Sequence, residues 1–320
     1  MEYTTTLASE KQNQPIAITI GNFDGIHRGH QYLMHELRAA AQKLNCIPVL
    51  VTFEPHTLIV VRPDIDVRYL TTTEEKLTLA KKYGQINESI VIHFTPSVAA
   101  MSATDFMNSL RSRLTIKGLV VGADFSLGYK RTGNVPFLEG YGREHDILVR
   151  PIPLEVASQV RISSTRIRAL ISEGQVEEAN ELLGHPVIMS GIVRHGDERG
   201  RQLGFPTANL LPEPHRLLPA NGVYALRVRV RDEADHAVSD PTASATVYNG
   251  VANIGVRPTF NGTERIIEVH LLDVTLNLYE KHLTMEFIAR LRSEQRFSGI
   301  DELKAQISSD VQQARQRLQN

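Results

Sequence analysis

The chain has 320 residues, room for about two domains at the usual ~150 residues each. Hydrophobic residues make up 42% and charged residues 22%, the balance of a globular protein that buries a sizeable core in each domain. A formal net charge of −1, with no long basic or acidic block, argues against a general nucleic-acid binder and leaves room for a local phosphate site.

Met1 to Gln14 is polar and lacks the apolar core of a signal peptide. Ile16–Ile20 is a short apolar β-type run followed by Gly21 and a loop. His30 to Lys43 reads as a helix with Leu33, Leu37 and Ala40 on one face. Cys46, the one cysteine, forms no internal disulfide, supports no cysteine-based zinc site, and reads as a buried structural thiol before the strand Ile47–Thr52. Thr73 to Lys82 is helical, capped by its threonine run and with Glu75 and Lys76 in the first turn. Ser89–Phe94 is a third strand. Ser102 to Leu114 is a helix with Ser102 and Asp105 at capping-box spacing. Gly118–Gly122 and Ile147–Arg150 complete five strands that alternate with helices, which predicts a parallel sheet covered on both faces.

After Arg161 the pattern changes. Ser164–Ser172 and Gln175–Leu183 read as helices, the second ended by Gly184-His185-Pro186. Strands then dominate: Val187–Val193, Gly222–Val230, Ala243–Ile254, Arg265–Leu272 and His282–Arg290, punctuated by glycine and proline. That spacing predicts a compact antiparallel barrel or sandwich. A terminal helix follows Gly299, with Ile300, Leu303, Ile307 and Val311 on the face that packs on it. The expected domains are 1–184 and 185–320. No apolar run approaches the ~18 residues that span a membrane, and a reducing cytoplasm fits the single cysteine.

Gly21-Asn22-Phe23-Asp24-Gly25-Ile26-His27-Arg28-Gly29-His30 lies between the first strand and the first helix. This is the carboxyl end of a parallel strand, where open α/β sheets bind ligands. Glycines let a phosphate approach the backbone, and the helix start offers N–H groups and a positive dipole end. His27 and His30 bracket Gly29, so two imidazoles can face one phosphate and stabilise charge on it as a leaving group departs. The bland alternative is a pair of surface histidines on a turn. Gly122-Ala123-Asp124-Phe125 through Lys130, Arg131 and Asn134 follows the fourth strand, with an acid, cations and glycines. Arg161-Ile162-Ser163-Ser164-Thr165-Arg166-Ile167-Arg168 opens a helix with hydroxyls that cap it or bind phosphate, and arginines that can clamp.

A second constellation sits in the strand-rich half. Gly200 to Leu210 contains Gly204, Phe205, Pro206, Thr207, Ala208 and Asn209. Thr207 can place a hydroxyl on Mg²⁺ and Asn209 can bridge metal and phosphate; the plain alternative is a proline-set turn with local bonds. Glu268 falls inside the apolar strand Ile266–Leu271. It is either the solvent-facing member of an alternating strand or a general base that takes the proton of an attacking hydroxyl.

The His27-Arg28-Gly29-His30 and Ile162–Arg168 strings look like the nucleotidylyltransferase superfamily. Together with Thr52-Phe53-Glu54-Pro55-His56 they resemble the FMN adenylyltransferase module of bacterial bifunctional riboflavin kinase/FAD synthetases. Thr57 stands where that family often has proline, and Ser126-Leu127 replaces a more usual aromatic-containing pair. The strings around Thr207, Asn221–Ala225, Asn253–Phe260, Glu268, Leu278-Tyr279 and Arg290–Arg292 resemble the riboflavin kinase module of the same family. The resemblance implies a Rossmann-like N-terminal domain with a parallel sheet and a small antiparallel six-stranded barrel with a terminal helix. It implies ATP and Mg²⁺, with riboflavin, FMN and FAD as the other small-molecule partners, and neither nucleic acid nor membrane. His27 and His30 would stabilise phosphate, with Gly21, Asn22, Phe23, Asp24, Gly25, Asp124, Ser164, Thr165 and Arg168 around the nucleotide. Gly204, Pro206, Thr207, Asn209 and Arg257 would form the kinase site, Thr207 and Asn209 its metal ligands and Glu268 its base. Retention of the kinase activity alone, or a non-catalytic flavin-binding regulator, stays open at this point, as does the oligomeric state.

Overall fold

The computed structural model of the chain describes residues 1–11, 13–153, 162–194, 204–231, 246–259 and 262–319, without the side chains of 257–259 and 262–264. Contacts divide it into two compact units, Met1–Ser164 and Thr165–Asn320. Arg161 and the stretch 200–203, singled out from the sequence, lie outside the described residues.

The first unit is built on a six-stranded sheet of β1 (Tyr3–Thr5), β2 (Ile16–Ile20), β3 (Ile47–Glu54), β4 (Glu88–His93), β5 (Ile116–Gly122) and β8 (Leu148–Ile152), in the order β1-β4-β3-β2-β5-β8. All neighbours run parallel except β1, which pairs antiparallel with β4 and was not expected. The order reverses direction at β2 and β5. At such a switch point the loops that leave neighbouring strands part and open a crevice beyond their carboxyl ends.

Each residue of β2 is buried, as a strand covered on both faces requires. On one face Ile18, Val51, Ile92 and Val121 pack in a core with Met107 and Leu110 of α5 (Ala103–Arg111). Across the sheet, α1 (Arg28–Leu44) buries Leu33, Met34, Leu37, Ala40 and Ala41. Two short helices, α2 (Thr57–Val61) and α4 (Pro96–Ala99), fill connections. The helix expected over Thr73–Lys82 is α3 (Thr73–Leu79), with a full Thr72–Glu75 capping box, and it widens into a π-turn over Ala80–Gly84. The strands β6 (Ser126–Leu127) and β7 (Gly133–Asn134) form a small hairpin before α6 (Val135–His145). Helix α6 was not anticipated, because Pro136, Gly140 and Gly142 weaken its signal. Gly142 has a structural reason: a Cβ there would stand 2.5 Å from the Ile147 carbonyl oxygen.

In the second unit α7 (Ser164–Glu173) and α8 (Val176–Leu183) precede β9 (Val187–Arg194), β10 (Ala208–Leu210), β11 (Gly222–Arg231), β12 (Val247–Thr259), β13 (Gly262–Leu271) and β14 (His282–Arg292). These strands close an antiparallel barrel in the order β10-β13-β12-β11-β14-β9. Strand β10 is three residues long and too short to show a period, yet it closes the ring. Tyr224 and Phe287 are fully buried and meet edge to face at 5.5 Å. Helix α8 docks on the barrel through Asn180, which donates to the Phe287 carbonyl (2.9 Å) and accepts from the Val187 N–H (2.7 Å).

The terminal helix α9 (Ile300–Leu318) packs as expected, but the contact is shifted to its C-terminal half. Val311, Ala314 and Leu318 lie on Val223, Ala225 and Val251, while Ile300 is exposed. Asp310 adds a buried pair with Arg292 at 2.8 Å, which fixes that end.

Candidate active sites

The first site is the loop that leaves β2. Gly21 N–H makes a last ladder bond to the Val51 carbonyl (3.1 Å). Phe23, Gly25 and Ile26 then take left-handed conformations, with φ of 49°, 84° and 41°. Such a conformation is uncommon for Phe and rarer still for β-branched Ile, so the surroundings must hold it. Asp24 does so. Its buried carboxylate accepts from the N–H groups of Leu70 (2.8 Å) and Thr71 (3.1 Å) and from Thr71 Oγ1 (3.3 Å). Thr71 Oγ1 in turn accepts from the Gly25 N–H at 3.1 Å. Asp24, expected around the nucleotide, thus spends its oxygens on the loop's own backbone support.

His27 is the N-cap of α1, and its Nδ1 accepts from the His30 N–H at 3.3 Å. That bond makes Nδ1 the acceptor, so the proton of the neutral ring sits on Nε2. The rings of His27 and His30 stack at 3.6 Å and 17°, and Phe23 meets His30 edge-on at 5.1 Å. Gly29 permits this stack, since a Cβ would press on His27 Cε1 at 3.2 Å. Burial, then the nearby His27 and Lys76, hold His30 well below the ordinary histidine pKa. His30 is therefore a neutral imidazole at pH 7. The site presents two stacked imidazoles at a helix start, the kind of donor set that can meet a phosphate.

Asn22 is fixed from both ends of its amide. Its Nδ2 donates to Thr57 Oγ1 (2.9 Å) and its Oδ1 accepts from the Thr57 N–H (3.4 Å). A proline at position 57 would supply neither group. The unusual Ser126 is likewise used, accepting from Arg131 Nε at 2.7 Å while Lys130 and Arg131 hold φ near 52° and 60°. Asp124 is exposed at the end of β5. Ser164, the last residue of the first unit, donates through its Oγ to the Asp24 carbonyl at 3.0 Å. Thr165 is exposed and Arg168 half-buried on α7, three residues apart and so on one helix face.

The second site lies on the outer face of the barrel. Antiparallel register sets Asn209 of β10 opposite Glu268 of β13, and Glu268 opposite Asn253 of β12; Arg194 of β9 stands opposite Asn209 on the other side. One rung therefore carries Arg194, Asn209, Glu268 and Asn253 across four strands. Their neighbours Val193, Ala208, Leu210, Ala252, Ile254, Ile267 and Val269 are buried, so alternation turns the polar row outward. Asn253 Nδ2 donates to Glu268 Oε2 at 3.4 Å and orients it. Beside the row, the backbone turns at Gly204 (φ 91°) and is held where His270 Nδ1 meets the Pro206 carbonyl at 2.8 Å. Thr207 and Ala208 line a cleft of about 640 Å³ whose other wall includes Leu271, Val274, Leu276, Leu278 and Tyr279. Of Arg257 only the backbone, paired with Glu264, is described.

Sequence reasoning did not single out Arg194, the role of Asn253, or the buried pair Thr52 and Lys76. Strand register reveals the first two, and register is invisible until β10 is recognised. Lys76 was read only as a first-turn residue of a helix.

A family model described as FAD synthetase matches residues 9–166, and one described as riboflavin kinase matches residues 183–318. A protein of Escherichia coli K12 named bifunctional riboflavin kinase/FMN adenylyltransferase is 38% identical over 309 residues, 96% of this chain and 94% of its own length. The protein of that name from Haemophilus influenzae is 36% identical, with 94% of each chain covered. A crystal structure from Streptococcus pneumoniae, described as a macrolide-efflux protein, superposes with a TM-score of 0.80 at 29% identity over 94% of each chain. Among the described residues of the present chain, no helix is long and apolar enough to cross a membrane. With relatives this similar over almost their entire length, the chain belongs to the bifunctional riboflavin kinase/FMN adenylyltransferase family.

Proposed function

We propose that this chain phosphorylates riboflavin to FMN with ATP and then adenylylates FMN to FAD, releasing pyrophosphate, in the cytoplasm. The kinase reaction is assigned to residues 185–320 and the adenylyl transfer to residues 1–184. The observation that carries this assignment is the opposite chemistry of the two sites. One aligns neutral imidazoles and a helix start; the other aligns a carboxylate with amides and a hydroxyl.

In the kinase reaction the nucleophile is a neutral primary alcohol. Glu268 takes its proton as the oxygen bonds to the γ-phosphorus and the bond to the β-phosphate oxygen breaks, leaving ADP. Asn253 holds Glu268 in place for that transfer. The cleft suits ATP, with Thr207 on its polar side and Leu271, Val274, Leu276 and Tyr279 offering apolar surface to a purine. Thr207 and Asn209 are hard oxygen donors that fit Mg²⁺, which keeps waters and substrate phosphates among its ligands. Bound there, Mg²⁺ would offset charge on the ATP phosphates. Gly204, Pro206 and Arg257 are assigned to the same site.

In adenylyl transfer the nucleophile is a phosphate oxygen of FMN, already anionic. It bonds to the α-phosphorus of ATP as the bond to pyrophosphate breaks, and no proton has to be removed. His27 Nε2–H, His30 and the α1 N-terminus stabilise the charge that gathers on the α-phosphate oxygens. Gly21, Asn22, Phe23 and Gly25 shape the loop, Asp24 braces it, and Asp124, Ser164, Thr165 and Arg168 are assigned to the nucleotide.

Chromatography of products from riboflavin, ATP and Mg²⁺ should show FMN and then FAD. Glu268→Ala should lower FMN formation by about 10² to 10⁴ and spare FAD formation from supplied FMN, and His27→Ala with His30→Ala should spare FMN formation and lose FAD formation. Equal loss of both activities in folded variants would overturn the two-site assignment.

A further inference from the structure

Lys76 is nearly fully buried on α3, an unusual place for an ammonium group. Its Nζ donates to Thr52 Oγ1 at 3.1 Å, and Thr52 Oγ1 donates to the Asn22 carbonyl at 3.2 Å. Asn22 is the second residue of the loop that ends in His27 and His30. The charged and titratable groups that face Lys76 come from three other elements: Asp24 from the loop, Glu54 from β3, and His30, itself stacked on His27, from α1. His30 belongs to α1 and His27 is its N-cap, while the cation comes from α3.

The geometry points to Lys76 as a positioning residue for adenylyl transfer, fixing the Asn22 carbonyl through Thr52 and setting a positive charge beneath the loop that carries His27 and His30. This rests on the assignment of adenylyl transfer to the N-terminal site. The charge favours polyphosphate and the transition state over the empty loop, and the Thr52 relay holds the loop in its left-handed form. Stability supports a functional reason for the group. Burial brings the Lys76 pKa from 10.5 down to about 8, and it outweighs the attraction of Asp24 and Glu54. Between these two values the unfolded chain binds the proton and the folded chain does not, so folding becomes more favourable as pH rises from about 8 to 10.5. At neutral pH the charged lysine is therefore a burden on the fold.

The test uses the full chain and reads both activities on it. Lys76→Met should lower kcat for FAD formation from FMN by roughly tenfold or more, with a smaller change in KM for FMN. Riboflavin phosphorylation should be unchanged, and the thermal midpoint at pH 7 should hold or rise. Wild-type kcat for FAD formation should fall as pH rises through about 8, and this limb should be absent in Lys76→Met. Lys76→Arg, which stays charged, should recover activity over Lys76→Met at high pH. Thr52→Val, which keeps the bulk and removes the relay, should lower kcat while keeping the alkaline limb. Wild-type rates in Lys76→Met, or the same alkaline limb in both proteins, would overturn the proposal. Absence of FAD formation in the wild type would instead overturn the assignment of the reaction to this chain.

Discussion

The two sites of this chain are built on opposite plans. The histidine site sits on a loop whose backbone is forced into left-handed conformations and braced from below by buried groups: Asp24, Thr71, Thr52 and Lys76. The glutamate site is a rung of regular strands, with side chains on an outer face and no unusual backbone at Asn209, Glu268 or Asn253. A loop must be held by interactions made elsewhere in the fold, whereas a strand rung is held by its ladder. The first site should therefore be sensitive to substitutions remote from substrate, and the second chiefly to changes in the row itself.

The largest effect expected is at the row. Glu268→Ala should cost about 10² to 10⁴ in kcat for FMN formation, the usual range for a lost general base, with little change in stability. Unfolding curves that stay superimposable on wild type would keep the comparison intact.

Asp24→Ala tests the other half. It strips the partners from the Leu70 and Thr71 N–H groups, so it should destabilise the protein by about 1–3 kcal/mol for buried donors left unsatisfied, and lower FAD formation as well. Denaturant melts would show it, and an undiminished midpoint would break the distinction between braced loop and self-supporting rung. A milder loss is expected for Asn253→Ala, which frees Glu268 without removing it: roughly tenfold in kcat for FMN formation, read by steady-state kinetics. Smallest is Thr57→Ala, which removes the Oγ1 acceptor of Asn22 but keeps the N–H that Oδ1 accepts from; the net loss should be about 0.5–1.5 kcal/mol.

Much of the fold was legible because its signals are local. The covered strands β2 to β5 read as short apolar runs, and the threonine run before Thr73 and the Ser102–Asp105 spacing mark helix starts that form as expected. The loop from Gly21 to His30 was legible because glycines and histidines cluster between a strand and a helix. What escaped depended on distant partners. Strand β1 exists only because β4 offers it an edge, β10 only because the barrel needs closing, and α6 survives two glycines because Gly142 lets Ile147 come close. For the same reason the bracing bonds of Asp24 emerged only when residues 70 and 71 were placed beside it.

The three-residue strand β10 has a further consequence. Asn209 rides on it and meets Glu268 only when the ring is shut. The kinase chemistry proposed for this row thus depends on a pairing between segments far apart along the chain, the kind of pairing that a folding chain makes late. Fraying of those few residues would leave nearly all of the barrel standing and silence the reaction. Catalysis there is a gauge of ring closure, far more exacting than any measure of total secondary structure.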